Sequence, residues 1–196
     1  MADLNPVGVF PWSFISHILG SDATYVRSWF NFWMLPAVSV VSFSAGESKA
    51  ELDNAMKRVE KSIQELMDEG VPSQNIVVVG FSQGGALALY TSIHTKYKLG
   101  GFIPMATWLP LVKAEPIKTL PNPVNVDTPI FQVNGIADLV VPLYPAGEKT
   151  RKEMKKVFSK YTYKAFVGTH LTIGRYKLTI RSIKKWMKKN TNLKFR

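Results

Sequence analysis

The sequence contains no cysteine. That absence excludes a disulfide scaffold, a thiolate metal site and a cysteine nucleophile. Histidine is scarce: His17, His94 and His170 are too few for a typical zinc cluster. No apolar run reaches the length of a bilayer span. The N-terminus lacks a basic stretch followed by a long apolar one, so no secretory signal is evident. Neither G-x-G-x-x-G nor Gly-Lys-Ser/Thr occurs, which argues against a dinucleotide fingerprint and excludes a P-loop. No metal or other cofactor is expected, and the expected location is cytoplasmic.

Acidic residues are almost absent from the last quarter. Residues 149–196 carry 16 Lys/Arg and one acid, Glu153, a balance of +15. Residues 1–148 carry 9 Lys/Arg and 13 Asp/Glu, a balance of −4. Such asymmetry suits contact with an anionic membrane surface or with nucleic acid, or serves solubility alone. No zinc finger, RNA-recognition signature or basic zipper supports nucleic acid, so none is expected as a partner. With 196 residues, 46% of them hydrophobic and 20% charged, the chain is expected to be one globular domain over 1–196.

Residues 10–16 and 36–43 are candidate strands, whereas 17–30 mix turn residues with a short apolar run. Ser48-Lys-Ala-Glu51 has the spacing of a capping box and opens a helix. Leu52, Met56, Val59, Ile63 and Met67 follow at helical spacing, and Gly70 with Pro72 supplies the stop. Asn75–Gly80 is a short unbroken apolar run, as expected of a strand buried on both faces. Ala86–Tyr97 reads as helix, Gly101–Ala106 and Ile130–Val133 as further strands. Glu148–Lys160 reads as basic helix and Tyr161–Phe166 as strand. Tyr176, Ile180, Ile183 and Met187 form the stripe of a last basic helix. Alternating strands and helices predict an α/β fold with a mainly parallel sheet.

Gly80-Phe-Ser82-Gln-Gly84 is a G-x-S-x-G segment between the expected strand ending at Gly80 and a helix beginning near Gly85. A serine on such a tight turn is held in a strained conformation with its hydroxyl at the C-terminal edge of the sheet. The flanking glycines remove side chains that would collide there. The next amide, that of Gln83, is the candidate oxyanion donor. A serine nucleophile on such a turn takes an acid and then a histidine from later in the chain. His94 falls in the helix after Ser82, about three turns away. His170, in the loop-like Val167-Gly-Thr-His170, is the better base. Asp138 follows the strand Ile130–Val133, at the sheet edge expected for Ser82. Asp127 precedes that strand and falls at the opposite edge. The candidate catalytic residues are Ser82, Asp138 and His170.

Several segments then resemble one family. Gly80-Phe-Ser-Gln-Gly-Gly-Ala-Leu-Ala-Leu-Tyr-Thr91 is similar to the nucleophile segment of the acyl-protein thioesterases, in the phospholipase/carboxylesterase family of α/β-hydrolases. Thr107-Trp-Leu-Pro-Leu111, Gly135-x-x-Asp138-x-x-Val141-Pro142, Gly168-x-His170 and Ser28-Trp-Phe30 resemble other segments of that family, over roughly residues 28–190. The resemblance implies an α/β-hydrolase fold and hydrolysis of acyl esters or thioesters through an acyl-enzyme. Acylated proteins, lysophospholipids or small esters would be the substrates.

The chain also departs from the family. The family's His-Gly-Leu-Gly-Asp loop carries a leucine amide as second oxyanion donor. The nearest match here is His17-Ile-Leu19-Gly-Ser-Asp22, which makes Leu19 the corresponding residue. About thirty residues that follow this loop in the family, including a central strand, are missing. Either 36–43 or another segment replaces that strand, or the sheet is shortened on its N-terminal side and the site partly open. The family's His-Gly before the acid is Asn134-Gly135. The rival expectation is therefore a hydrolase-like binding protein with an incomplete oxyanion hole. The basic segment 149–196 suggests peripheral contact with an anionic membrane.

Overall fold

The computed structural model describes residues 14–18, 24–28, 47–111, 124–173 and 177–191. Strands β1 (Phe14–Ile18) and β2 (Thr24–Ser28) pair antiparallel as a two-stranded sheet, with His17 opposite Tyr25 and Ile18 opposite Thr24. The β-branched and aromatic run Thr24-Tyr-Val26 suits a strand. It lies where the sequence suggested turns. Of the candidate strand 10–16, residues 14–16 fall in β1, which runs on to Ile18, and residues 10–13 and 36–43 lie outside the described residues.

Helix α1 (Lys49–Asp68) begins as the capping pattern predicts, with Ser48 Oγ accepting from the Glu51 N–H at 3.4 Å. It buries Leu52, Ala55 and Ile63. The helix ends at a glycine in the left-handed region, Gly70 at φ +90°, a conformation that residues with a Cβ adopt only at a cost.

Strands β3 (Val77–Phe81), β4 (Gly101–Met105), β5 (Ile130–Gly135) and β6 (Tyr161–Phe166) form a parallel sheet in that order. Between them run α2 (Gln83–His94) and α3 (Glu148–Met154), and α4 (Lys177–Asn190) closes the order. Alternation along the strands separates two cores. Phe102 and Ile130 pack with Ile63 of α1, Leu89 of α2 and Met154 of α3. Ile103, Phe131 and Val133 pack on the other face with Trp186 of α4. Helix α2 is buried without a break from Gly85 to Ile93, as an apolar helix between other layers must be.

Three expectations are corrected. Strand β3 is not buried on both faces: Val79 is 56% and Phe81 38% exposed, because among the described residues β3 is an edge of its sheet. Helix α3 stops at Met154 instead of reaching Lys160. The chain tightens there through Lys156 N–H to Glu153 O and Val157 N–H to Met154 O, and Ser159 N–H to Val126 O turns it into β6. On α4 the buried face is Thr179 and Trp186, with Ile183 and Met187 partly buried, whereas Ile180 is exposed. Tyr176 lies outside the described residues.

Candidate active site

The turn from β3 into α2 places Ser82 at φ 53° and ψ −119°, which costs a non-glycine residue about 1–3 kcal/mol. Close packing enforces it. A Cβ on Gly80 would lie 2.1 Å from the Gly84 carbonyl oxygen. The Ser82 N–H donates to Met105 O at 2.9 Å, and Ser82 O accepts from Ala86 N–H at 3.0 Å and from Thr107 Oγ1 at 2.8 Å. Both backbone groups of the strained residue are thus held.

The loops after β5 and β6 bring up the other two candidates. The Ile136 N–H donates to Phe166 O at 2.9 Å, and the Ala137 N–H to Gly168 O at 3.0 Å. Asp138 Oδ2 then lies 2.8 Å from His170 Nδ1, and His170 Nε2 lies 3.0 Å from Ser82 Oγ. Asp138 Oδ1 accepts from the Val140 and Val141 N–H groups at 2.9 and 2.8 Å. Asp138 is 2% exposed, so all its contacts are made inside the protein. A carboxylate only accepts, so Nδ1 carries the imidazole proton and Nε2 is left to accept from the Ser82 hydroxyl. The Phe81 ring packs on His170 with centroids 5.0 Å apart. Such a row of hydroxyl, imidazole and buried carboxylate is able to deprotonate the hydroxyl as it attacks a carbonyl.

Gln83 is the first residue of α2, so its amide lies in the first turn, where helix N–H groups favour developing negative charge. Leu19 lies outside the described residues, and His17 and Ile18 form the end of β1. His94 sits at the far end of α2, its ring 4.2 Å from that of Tyr90. Asp127 lies at the opposite end of β5, exposed and ion-paired with Lys98, which holds its carboxyl below the usual range. Among the described residues no cluster of three or more His, Asp or Glu side chains is able to hold a metal.

The structure adds residues that the sequence reading left without a role. Asn134, where the family carries histidine, is buried and donates from Nδ2 to Thr107 O at 3.2 Å. Glu47 reaches the loop after β4. Its Oε1 accepts from Trp108 Nε1 and its Oε2 from the Leu111 N–H, both at 2.7 Å. Burial pushes the Glu47 carboxyl up to about 7, against the pull of the Leu111 and Trp108 hydrogen bonds. Only its place before a helix cap marks Glu47 in the sequence.

A profile of the phospholipase/carboxylesterase family matches residues 17–190. Acyl-protein thioesterase 1 of Kluyveromyces lactis is 31% identical over 164 residues, covering 82% of this chain and 68% of that protein. Acyl-protein thioesterase 1 of Saccharomyces cerevisiae is 30% identical over 138 residues, covering 69% and 56%. The match therefore spans little more than half to two thirds of these relatives. The crystal structure of Arabidopsis thaliana SOBER1 superposes with a TM-score of 0.78 at 27% identity, over 93% of this chain and 82% of that one. The parallel sheet flanked by helices is an α/β-hydrolase fold, and the chain belongs to the phospholipase/carboxylesterase family of hydrolytic enzymes.

Proposed function

We propose that this chain is a serine hydrolase that cleaves acyl thioesters or esters through an acyl-enzyme. The observation that carries the reading is the continuous row from Asp138 through His170 to Ser82, at 2.8 and 3.0 Å, on a strained turn at a helix N-terminus. Ser82 Oγ attacks the acyl carbonyl while His170 Nε2 takes its proton. Asp138 fixes the tautomer and stabilises the imidazolium. The Gln83 amide, with the Leu19 amide as partner, holds the oxyanion; each such donor contributes about 10²–10³ in turnover. His170 then protonates the departing thiol or alcohol, and water hydrolyses the acyl-serine through the same base.

The names of the similar yeast proteins support acylated proteins as substrates, with lysophospholipids and small esters beside them. One domain over 1–196 in the cytoplasm, with no cofactor, fits this reading. Among the described residues no helix is long and apolar enough to cross a membrane. Contact with an anionic membrane through 149–196 is supported by the charge excess there and by the exposure of Lys184, Lys185, Lys188 and Lys189.

The test is labelling by a fluorophosphonate probe, followed by a hydrolysis screen over chain length with paired thioesters and oxyesters. The parent chain should label and Ser82→Ala should not. An unlabelled parent would point to the impaired binding scaffold and overturn the proposal.

A further inference from the structure

The segment after β4, residues 106–111, bonds directly to the backbone of Ser82 and is itself irregular. It begins and ends on non-glycine residues in the left-handed region, Ala106 at φ 48° and Leu111 at φ 55°. Backbone of this kind persists only where its surroundings over-determine it. Thr107, just inside, donates from Oγ1 to Ser82 O at 2.8 Å, and Met105, just before, accepts the Ser82 N–H at 2.9 Å. The position of this segment is thus passed directly to the backbone of Ser82.

The anchors differ along the segment. Its first half hangs on β5: Ala106 N–H donates to Val133 O at 2.7 Å, and Thr107 O accepts from Asn134. Leu109 N–H donates to Thr150 Oγ1 at 2.8 Å. The Trp108 indole and the Leu111 end are held by Glu47. Its two oxygens separately take the Trp108 indole N–H and the Leu111 N–H, from more than sixty residues away in sequence. Packing runs the same way, for Trp108 and Leu111 share a core cluster with Leu52 and Ala55 of α1. Glu47 immediately precedes the cap of α1, so the clamp ties this segment to the helix start.

We propose that Glu47 is a positioning residue for Ser82, acting through the 106–111 segment and the Thr107 hydroxyl. The proposal rests on Ser82 being the nucleophile. Glu47 touches neither Ser82 nor His170 by any bond described above. Its two acceptors keep the segment from relaxing at its strained Leu111 end. Thr107 then keeps the Ser82 carbonyl, and with it Oγ, in line with His170. An apolar residue would fill the space but accept neither N–H. A glutamine would offer one acceptor and set an amide N–H against the second donor.

The test uses the full chain with a short, soluble p-nitrophenyl ester. Glu47→Gln should lower kcat roughly 10- to 100-fold, with KM within about two-fold, because alignment for attack is lost while ester binding is not. Trp108→Phe, which keeps Glu47 and its bond to Leu111, should lower kcat by a smaller factor, and it decides the matter if Glu47→Gln does not fold. Thr107→Val should resemble Glu47→Gln, and Thr107→Ser should restore most of the loss. The double variant Glu47→Gln/Thr107→Val should be no worse than the worse single, since both act through one contact.

Amide exchange at Ser82 gives a readout that does not depend on turnover. Glu47→Gln should speed it about ten-fold while the β5 amides stay protected. If kcat and Ser82 exchange stay within about two-fold in both Glu47→Gln and Trp108→Phe, or the losses multiply in the double variant, the proposal is overturned. A parent chain that neither hydrolyses nor labels would sink the hydrolase reading, and Ser82 exchange would still decide whether Glu47 holds the turn.

Discussion

Gly80 and Gly84 meet across the turn so closely that a Cβ on Gly80 would stand 2.1 Å from the Gly84 carbonyl oxygen. The obstacle is backbone at the start of α2, which cannot swing aside. Gly80→Ala should therefore push the strand end away from the helix. We expect a loss of about 1–3 kcal/mol in stability from the forced shift and near-complete loss of activity in the folded fraction. Thermal denaturation and probe labelling measure the two. Parent-like values for both would show that the turn has more room than this contact allows.

Ser82→Ala should abolish hydrolysis with little change in stability, because the alanine keeps the same strained φ of 53°. Ser82→Gly should be equally inactive but more stable, by about 1 kcal/mol, since glycine adopts this region without penalty. Comparing melting temperatures of the two inactive variants isolates the backbone strain. Retained activity in either would remove Ser82 as the nucleophile.

His170→Ala should be nearly as damaging as Ser82→Ala, since members of such a unit fail together. His94→Ala should be nearly silent in turnover, because His94 lies against the Tyr90 ring at the end of α2 away from Ser82. Steady-state rates on one soluble ester decide. An inactive His94→Ala would reassign the base.

Glu47 makes stability depend on pH in a defined direction. Burial raises its folded pKa from 4.5 to about 7, so between those values the folded chain binds more protons than the unfolded one. Its contribution is full below about 4.5 and is lost as pH rises through 7, an effect of at most about 3 kcal/mol. Urea unfolding at pH 5 and pH 8 should show the parent losing stability relative to Glu47→Gln over that interval. A difference between the two chains that does not change with pH would place the carboxyl in a wetter setting.

Replacing Lys184, Lys185, Lys188 and Lys189 with glutamine should weaken sedimentation with anionic vesicles while leaving hydrolysis of a small soluble ester intact. These lysines are exposed on the second half of α4. That half runs to the end of the sheet away from Ser82, where Trp186 and Thr191 lie against Gly101 at the start of β4. Exposed charges are screened beyond about 8 Å at physiological ionic strength, so salt should release the parent chain. Equal sedimentation with neutral and anionic vesicles would leave the lysines as a solubilising surface.

Much of this protein is local, and the sequence determines local things. The Ser48 cap and the Gly70 stop of α1 depend on neighbours within a few residues, as does the alternation of strands and helices. The G-x-S-x-G turn is a stretch of chain whose glycines carry its steric logic. Asp138 and His170 could be chosen because each directly follows a strand, and in a parallel sheet all strand ends of one kind share an edge.

Tertiary structure decided whatever depends on what packs from far away. The exposure of Val79 and Phe81 follows from β3 lying at an edge of the described sheet, which its apolar run does not reveal. Helix α3 ends early because Ser159 bonds to Val126 and turns the chain. Ile180 fits the helical period of α4 yet faces water, since only the sheet beneath determines which part of an apolar stripe is covered. The pairing of Glu47 with Trp108 and Leu111 joins groups more than sixty residues apart. No spacing rule anticipates it, because a carboxylate before a helix cap reads as solvated until the fold brings two N–H donors to meet it.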